Sequence, residues 1–498
     1  MQVNNVPRMQ RVLANVSVAV TFAAYVVLFV ALAWSRPLCC ADDAAHAVIA
    51  KNLALGYGYA NTLGHNTPTF AFRRFDPVIG TGPTVILPAA VGILLFGNHA
   101  EVPGLTSVAV WSLLLIVLYA LMRQYATAPN QAATAAIGFL LLCLVLSPFN
   151  APEWFALLGE VTTTLLVLIA YGVLVRRPST PTALLLVGAL LGLAILGKLL
   201  STLYLVPALV AVAAGVIASR EGRNWVGVAW LLLGVAIPLG AFELWKLALL
   251  GGKYADSFEA GWRFVTTVGL GGGTESAIDR LMSRLDAFND RYGAPLPMLV
   301  LAVIISGALV ARSDKSEVRA LYLLAAAGCL IHLVYWLFAS GGNPRYVFGA
   351  MVVMAALISL SGLVPVRRSI RLAFLAFVVA LMVKPALRLP MYRDLLLSPA
   401  RNGATAAAEA AAAFVDRERR GRVVLTQWWA TAAAMEYASR EVWIFDGYSE
   451  YPRNLTGSGT LLAYSEHFVN KGDKDFAELV QSCGPAIFSA PPYKVHRC

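Results

Sequence analysis

Two adjacent carboxylates, Asp42 and Asp43, are the residues of this sequence best suited to acid-base chemistry. They follow an apolar run directly and open a polar stretch, 38–88, in a chain that is otherwise very apolar. Ionisable residues beside a membrane span are costly, and by default they mark functional sites. A carboxylate there can accept or orient the proton of an attacking nucleophile, and Asp42 is the predicted base.

The same pair also has a purely structural interpretation. Aspartate is favoured at the N-cap and in the first turn of a helix, and a helix is predicted over 44–55. This alternative explains one of the two residues well and the other in part. Because neighbouring side chains point apart, we expect one carboxylate to face the site and the other to hold the loop.

Several basic residues are suited to binding a phosphate at the same membrane boundary. The planar guanidinium of arginine can grip two phosphate oxygens at once, and lysine offers a point charge. Interfacial anchoring and snorkelling are the alternatives for such residues. The predicted phosphate-binding residues are Lys51, Arg73, Arg74, Lys198, Arg345 and Tyr346, which follows Arg345 in the chain.

Three further polar residues are candidate ligands of an acceptor or a metal. Glu153 and Glu160 have the oxygen ligands that Mg²⁺ or Mn²⁺ prefers, although two glutamates seven residues apart also fit a helix-end role. His46 lies one turn from Asp42, where a histidine is more often structural than catalytic. A divalent cation is therefore a candidate cofactor, and Glu153, Glu160 and His46 are its candidate surroundings.

The composition places the chain in a membrane. Of its 498 residues, 58% are hydrophobic and 13% charged, and the mean hydropathy is +0.68. So few charges cannot cover a soluble globule of this size. Much of the net charge of +11 lies in short loops, where it sets the orientation of the spans, so nucleic acid is not an expected partner.

Twelve apolar runs follow one another, and charge decides which of them cross the bilayer. The run 82–97 is short and contains Pro83 and Pro88. If it does not cross the bilayer, the arginine-rich short loops lie on the same side as the N-terminus, as positive charge in short loops favours. It is predicted to be an outer juxtamembrane helix. The eleven predicted spans are 13–34, 104–122, 132–149, 159–175, 182–200, 201–219, 225–250, 297–311, 320–339, 346–364 and 372–388.

In this topology the N-terminus is cytoplasmic, and the first outer loop, 35–103, and everything after about 389 lie on the outer side of the membrane. A transmembrane module is predicted over 1–388 and a small α/β domain over 389–498, where short β-branched runs alternate with helical stretches. Cys483 and Cys498 of that domain would lie in an oxidising compartment. A disulfide between them and two free thiols are equally expected.

Several stretches of the chain resemble GT-C glycosyltransferases. They are ADDAAHAVIAKNLALGYGY at 41–59, FDPVIGTGP at 75–83, SPFNAPEWFALLGE at 147–160, GLAILGKLL at 192–200 and NPRYVFGAMVVM at 343–354. The nearest families are the protein O-mannosyltransferases and the lipid A aminoarabinose transferases. The second outer loop differs from that of oligosaccharyltransferases in lacking an Asp-x-Asp or Asp-x-Glu motif.

The resemblance implies a transferase that moves a sugar from a polyprenyl-phosphate carrier to a lipid, glycan or protein acceptor. It implies a multi-pass protein of a bacterial inner membrane, with its C-terminal domain in the periplasm and membrane lipids around it. Two alternatives stay open, a secondary transporter and a non-catalytic protein of polysaccharide assembly or export. Neutral replacement of Asp42 and Asp43 separates these readings, because only the enzyme would lose sugar transfer.

Overall fold

The fold, seen in a computed structural model, is a bundle of apolar helices with a small α/β domain at its C-terminal end. The structure describes residues 6–35, 38, 41–61, 63–64, 73–75, 81–126, 128–146, 152–177, 180–218, 225–264, 276–365, 367–387, 389–390, 393, 400–418, 424–425, 430–440, 445–446, 459–466 and 474–498.

The helices follow the apolar runs of the sequence in order. In the described part of the bundle they are α1 (Val6–Ser35), α2 (Ala41–Ala54), α3 (Pro83–Phe96), α4 (Val102–Tyr125), α5 (Pro129–Val145), α6 (Glu160–Arg176), α7 (Pro181–Gly197), α8 (Leu205–Ala218), α9 (Trp225–Leu250), α10 (Tyr254–Phe264), α11 (Ala277–Tyr292), α12 (Leu296–Val310), α13 (Ser316–Phe338), α14 (Phe348–Leu360) and α15 (Arg368–Ala386). A helix is thus present in each of the eleven predicted spans.

Six of the described helical segments are long and apolar enough to cross a membrane, and a seventh is reached if the pair α11 and α12, bent by 80°, is one span. The number of eleven crossings stays a prediction. Helix α3, predicted to lie outside, has 14 residues. At 1.5 Å per residue it is about 21 Å long, shorter than a hydrocarbon core of roughly 30 Å.

Two helices form the centre of the bundle. All thirteen residues of α14 are buried, and so are nearly all residues of α6. A helix that is apolar on every side is stable only when other helices surround it, which explains their position. Glu160 begins α6, and the turn with Arg345 comes just before α14. Both groups are therefore held at the ends of the two most buried helices.

Helices α7 and α9 pack closely because glycines face each other. A Cβ atom on Gly188 would lie 2.1 Å from the carbonyl oxygen of Leu231, and one on Gly234 would lie 2.3 Å from that of Leu185. Small residues at such positions let two backbones approach, as is usual between membrane helices. This contact fixes the end of α7, from which Lys198 projects.

The C-terminal domain is built on a four-stranded mixed sheet. Its described elements are α16 (Ala400–Glu418), α17 (Ala430–Ala438), α18 (Lys474–Ser482), β4 (Val424–Leu425), β5 (Phe445–Asp446), β6 (Leu461–Ser465), β7 (Ala486–Ala490) and β8 (Tyr493–Arg497). The order of strands is β4-β6-β8-β7, with β4 parallel to β6 and the other two pairs antiparallel. Cys483 and Cys498 form a disulfide. The boundary at residue 388 stays a prediction.

The first outer loop adds three short strands, β1 (Ala60–Asn61), β2 (Leu63–Gly64) and β3 (Arg73–Arg74). Strands β1 and β3 pair with each other in antiparallel fashion. Strand β2 instead pairs in parallel with β5 of the C-terminal domain. The loop after α2 and the C-terminal domain therefore share backbone hydrogen bonds.

Candidate active site

Asp42 meets Arg345, which lies 303 residues later in the chain. Asp42 stands in the first turn of α2, and Nη1 of Arg345 donates to its Oδ2 over 2.6 Å. The side chain of Asp42 is 50% exposed, whereas that of Arg345 is 12% exposed. The carboxylate is thus open to a substrate, while the guanidinium is held in the protein.

Arg345 is positioned by a clamped turn. The chain between α13 and α14 forms a short 3-10 helix, Pro344–Val347, and the side chain of Asn343 caps it by accepting from the backbone N–H of Arg345. Nε1 of Trp336 donates to the carbonyl of Asn343, and the hydroxyl of Tyr292 donates to that of Pro344. Neighbouring helices thus hold this turn through its backbone, which fixes the direction of the guanidinium.

Glu160 links Arg345 to Lys198. Its Oε1 accepts from Nε of Arg345 at 2.9 Å and lies 3.2 Å from Nζ of Lys198. Glu160 opens α6 directly after Gly159, whose φ of +84° is in the region that favours glycine. Lys198 also donates to the carbonyl of Leu158 at 3.0 Å. Two carboxylates and two cations, each pair balanced in charge, therefore meet at one end of the bundle.

Asp43 points away from this cluster and holds a different segment. Its Oδ1 accepts from the backbone N–H of Leu157 at 2.8 Å, and the residue is 2% exposed. His46, one turn later, lies with Nδ1 2.8 Å from the carbonyl of Leu157. Because a carbonyl only accepts, the imidazole donates through Nδ1–H. The segment just before α6 is thus tied to α2 through both the N–H and the carbonyl of Leu157.

Replacing Asp43 by leucine is expected to lower the free energy of unfolding by about 1–3 kcal/mol, because the buried N–H of Leu157 would lose its acceptor. Thermal or denaturant unfolding of the purified protein measures this. The matched control is Asp314→Leu at an exposed position, for which a change within about 0.5 kcal/mol is expected. Equal losses in the two variants would contradict the structural role of Asp43.

Charge and burial set the protonation of the first outer loop. Burial raises the pKa of Asp42, but the charge and hydrogen bond of Arg345, together with the other basic groups nearby, outweigh it, so the pKa lies below the ordinary value of 3.8. Burial, together with the positive charge of Lys198, lowers the pKa of His46 to about 4. At neutral pH Asp42 is therefore ionised and His46 is neutral.

Glu153 pairs with Arg291 of α11 and not with the cluster around Glu160. Burial raises the pKa of Glu153 above its ordinary value. Both glutamates are thus engaged by cations, and among the residues that the structure describes no three His, Cys, Asp or Glu side chains are grouped as metal ligands. The divalent cation at Glu153 and Glu160 stays a prediction.

The other predicted phosphate-binding residues differ from one another in their surroundings. The ammonium of Lys51 is buried against backbone carbonyls of the C-terminal domain. Arg73 and Arg74 form β3, and Arg74 is exposed. Tyr346 packs partly buried against the main core, close enough to Arg345, Asp42 and Glu160 for their charges to act on its phenol. The structure thus joins Arg345 and Lys198 to Asp42 and Glu160 by direct contacts, with Tyr346 beside them.

Two partners in this region had no signal in the sequence. Arg291 lies 138 residues from Glu153, in the amphipathic helix α11, which carries several other charged residues. Thr81 accepts from Lys198 through its hydroxyl at 3.5 Å. Neither residue stands out by type or spacing, because each owes its place to contacts between distant segments.

A bundle of apolar helices followed by a small C-terminal α/β domain is also the fold of solved GT-C glycosyltransferases, and this chain adopts that fold. The similarity is to the crystal structure of ArnT from Cupriavidus metallidurans, a lipid A aminoarabinose transferase, bound to undecaprenyl phosphate. That structure has a TM-score of 0.64 and 13% sequence identity, over 96% of this chain and 97% of the other.

The apo state of the same ArnT matches with a TM-score of 0.60 and 14% identity over 96% and 97% of the two chains. The archaeal oligosaccharyltransferase AglB from Archaeoglobus fulgidus matches with a TM-score of 0.44 and 11% identity over 90% of this chain and 69% of its own. No protein-family model and no curated protein matches the sequence.

Proposed function

We propose that this protein is a membrane glycosyltransferase that moves a sugar from a polyprenyl-phosphate donor to an acceptor on the periplasmic side of a bacterial inner membrane. The observation that carries the proposal is the contact of Asp42 with Arg345 at 2.6 Å. An open carboxylate and a fixed guanidinium meet there, next to the buried pair of Glu160 and Lys198. The fold is shared with an ArnT that binds undecaprenyl phosphate, which supports a lipid-linked donor.

In this proposal Arg345 and Lys198 bind the phosphate of the donor. A guanidinium and an ammonium that face one carboxylate oxygen, at 2.9 and 3.2 Å, are close enough to each other to grip one phosphate. Glu160 is the buried partner that keeps both cations in place when no phosphate is present. Asp42 is the exposed partner, so the phosphate replaces Asp42 at Arg345 more readily than it replaces Glu160.

That exchange gives Asp42 its catalytic role. Once the phosphate takes up the guanidinium, the carboxylate of Asp42 turns to the acceptor and accepts or orients the proton of its hydroxyl or amine. A bond forms between the acceptor atom and the anomeric carbon, and the bond from that carbon to the phosphate oxygen breaks. The polyprenyl phosphate leaves with the electron pair, and Arg345 and Lys198 stabilise its new charge.

Binding of undecaprenyl phosphate to the purified protein tests the lipid-phosphate site. We expect the lipid to raise the free energy of unfolding by about 2.7 kcal/mol at a concentration near 100 Kd. Arg345→Gln is expected to raise Kd by roughly 10- to 100-fold, because it removes charge-assisted hydrogen bonds. Thermal shift or scintillation proximity with labelled lipid measures both values.

Two controls are needed. One separates binding of the phosphate from binding of the polyprenyl tail, and the other separates the effect of the site from that of any surface arginine. Undecaprenol has the same tail without the phosphate, and it should not discriminate between the wild type and Arg345→Gln. Arg263→Gln removes an exposed arginine that pairs with Glu259 on α10, and it should leave Kd unchanged. Equal binding of undecaprenyl phosphate by Arg345→Gln and the wild type would overturn the assignment of the donor site, and a transporter or assembly protein would then need to be reconsidered.

A further inference from the structure

Helix α2, which carries Asp42 at its start, is packed between the bundle and the C-terminal domain. One side of α2 forms a buried cluster with α3, and that cluster includes Tyr437 of α17. The other side brings Ala45 against the core of the C-terminal domain. The helix with the proposed catalytic carboxylate is thus an interface element on both of its faces.

Lys51 makes a buried polar contact across this interface. Its side chain is completely buried, and its ammonium donates to the backbone carbonyls of Glu436 and Ser439. Helix α17 ends at Ala438, so the carbonyl of Glu436 belongs to its last turn and that of Ser439 follows directly, at the end where the helix dipole is negative. A cation from the first outer loop thus caps a helix of another domain.

Two further contacts meet the same helix end from outside α2. The side-chain amide of Asn98, which follows α3, donates to the carbonyls of Tyr437 and Ser439. The hydroxyl of Tyr437 donates in return to the carbonyl of His99 at 3.0 Å. Together with the pairing of β2 with β5, these hydrogen bonds show that the C-terminal domain docks on this region through several separate contacts.

We propose that Lys51 is a positioning residue for the transfer reaction and that the C-terminal domain, through this cap, fixes α2 and with it Asp42. The proposal rests on the proposed function. Lys51 lies nine residues after Asp42, about 13 Å along one short helix, so a tilt at one end displaces the other. A displacement of 1 Å at a catalytic group can cost about 100-fold in rate.

Lys51→Met tests the proposal, because methionine keeps most of the length and loses the cation. We expect kcat for sugar transfer to fall by roughly 10- to 100-fold, while KM for the donor changes by less than about 2-fold, since Arg345 keeps Glu160 and Lys198. Activity is expressed per molecule that binds undecaprenyl phosphate, so that unfolded protein does not enter the value. Lys494→Met removes an ion pair with Glu466 on the surface of the C-terminal domain and should leave kcat unchanged.

The pH profile distinguishes a displaced Asp42 from general destabilisation. The charged and titratable groups that face Asp42 are Arg345, Lys198 and His46, and Glu160 shares Arg345 with it. If α2 shifts and the contact with Arg345 weakens, the carboxyl loses the strongest of the charges that lower its pKa. The acid limb of kcat/KM, which reports the free enzyme, should then move to higher pH. An unchanged acid limb together with an unchanged kcat would overturn the proposal.

Asn98→Leu provides a second probe that leaves α2 untouched. It removes the other donor to the same helix end, so it should lower kcat and move the acid limb in the same direction as Lys51→Met. Hydrogen exchange of the α2 amides, which needs no activity, should quicken in both variants. If only Lys51→Met has an effect, Lys51 acts within α2 and the role of the C-terminal domain is refuted.

The outcomes for the proposed function and for this inference are separable. Loss of transfer in Asp42→Asn with wild-type behaviour of Lys51→Met would leave the proposed function standing and refute the positioning role. Full transfer by Asp42→Asn would refute the role of Asp42 itself. Faster exchange of α2 in Lys51→Met would then show a docking contact without catalytic consequence.

Discussion

Asp42→Asn is expected to lower the rate of sugar transfer by about 100- to 10,000-fold, the usual contribution of a positioned general base. Asparagine has nearly the same shape, and its oxygen still accepts from Nη1 of Arg345, so the fold and the binding of the donor lipid should persist. The loss should therefore appear in kcat and not in the Kd for undecaprenyl phosphate. Transfer of a labelled sugar by purified protein measures it.

Asp43→Asn is the comparison for this variant, because an amide oxygen can still accept from the N–H of Leu157. A clearly smaller loss of transfer is expected there, and Asp314→Asn, at an exposed position, should match the wild type. Losses of equal size in Asp42→Asn and Asp43→Asn would contradict the division of roles between the two carboxylates. Unchanged transfer in both would leave no catalytic role for either.

The ionisation of Asp42 also predicts a pH dependence. Because its folded pKa lies below the ordinary 3.8, the ion pair with Arg345 contributes stability above the ordinary pKa and loses it as the pH falls through the folded value. We therefore expect no loss of kcat/KM, which reports the free enzyme, from this group between pH 7 and pH 5 in the wild type. A steep fall of kcat/KM within that range would indicate a different base.

Glu160→Gln is expected to lower the free energy of unfolding by about 3–5 kcal/mol, because it leaves two buried cations without their shared carboxylate. Arg345 and Lys198 both contact Oε1 of Glu160, and the three side chains are at most 12% exposed. Glutamine preserves the size of the residue, so the effect is one of charge. Thermal and denaturant unfolding measure it, with and without undecaprenyl phosphate.

Two further variants test whether charge balance is the cause. The double variant Glu160→Gln with Lys198→Met removes one cation as well, and it should recover part of the lost stability. Glu243→Gln breaks a partly exposed pair with Lys246 and should cost less than about 1 kcal/mol. If Glu160→Gln were no more destabilising than Glu243→Gln, the buried cluster would not be the structural anchor described above.

The undecaprenyl-phosphate experiment connects these two predictions. A phosphate between Arg345 and Lys198 supplies the negative charge that Glu160→Gln removes. The lipid should therefore stabilise Glu160→Gln more than it stabilises the wild type. The same lipid should stabilise Asp42→Asn about as much as the wild type, since Glu160 still holds the two cations in that variant.

The sequence predicts the membrane bundle well, because transfer of apolar side chains from water is a local property of each segment. A helix stands in each of the eleven predicted apolar segments, and the short run at 82–97 forms the 14-residue helix α3. Charge and position also pointed to Asp42, Arg345 and Lys198 individually, since ionisable groups beside apolar runs are rare and costly. None of these features states which group meets which.

Lys51 shows the limit of sequence reasoning most clearly. Its type and place at the outer boundary suited a phosphate ligand, but its observed partners are backbone carbonyls of Glu436 and Ser439. A backbone carbonyl exists at every position, so no residue pattern marks it as the partner of a lysine 385 residues away. The pair of Glu153 with Arg291 was not predicted because the two residues are 138 positions apart in the chain and no sequence pattern links them.

By itself the sequence determined that this is a membrane protein, where its apolar helices lie and which charged residues stand at their ends. These features follow from local composition, since the free energy of placing a segment in lipid depends on the residues within that segment. Only the tertiary structure decided that Asp42 meets Arg345, that Glu160 joins Arg345 to Lys198, and that Lys51 caps α17. Such pairs depend on how the helices pack over hundreds of residues, and packing energy is shared among many contacts that no single stretch of sequence contains.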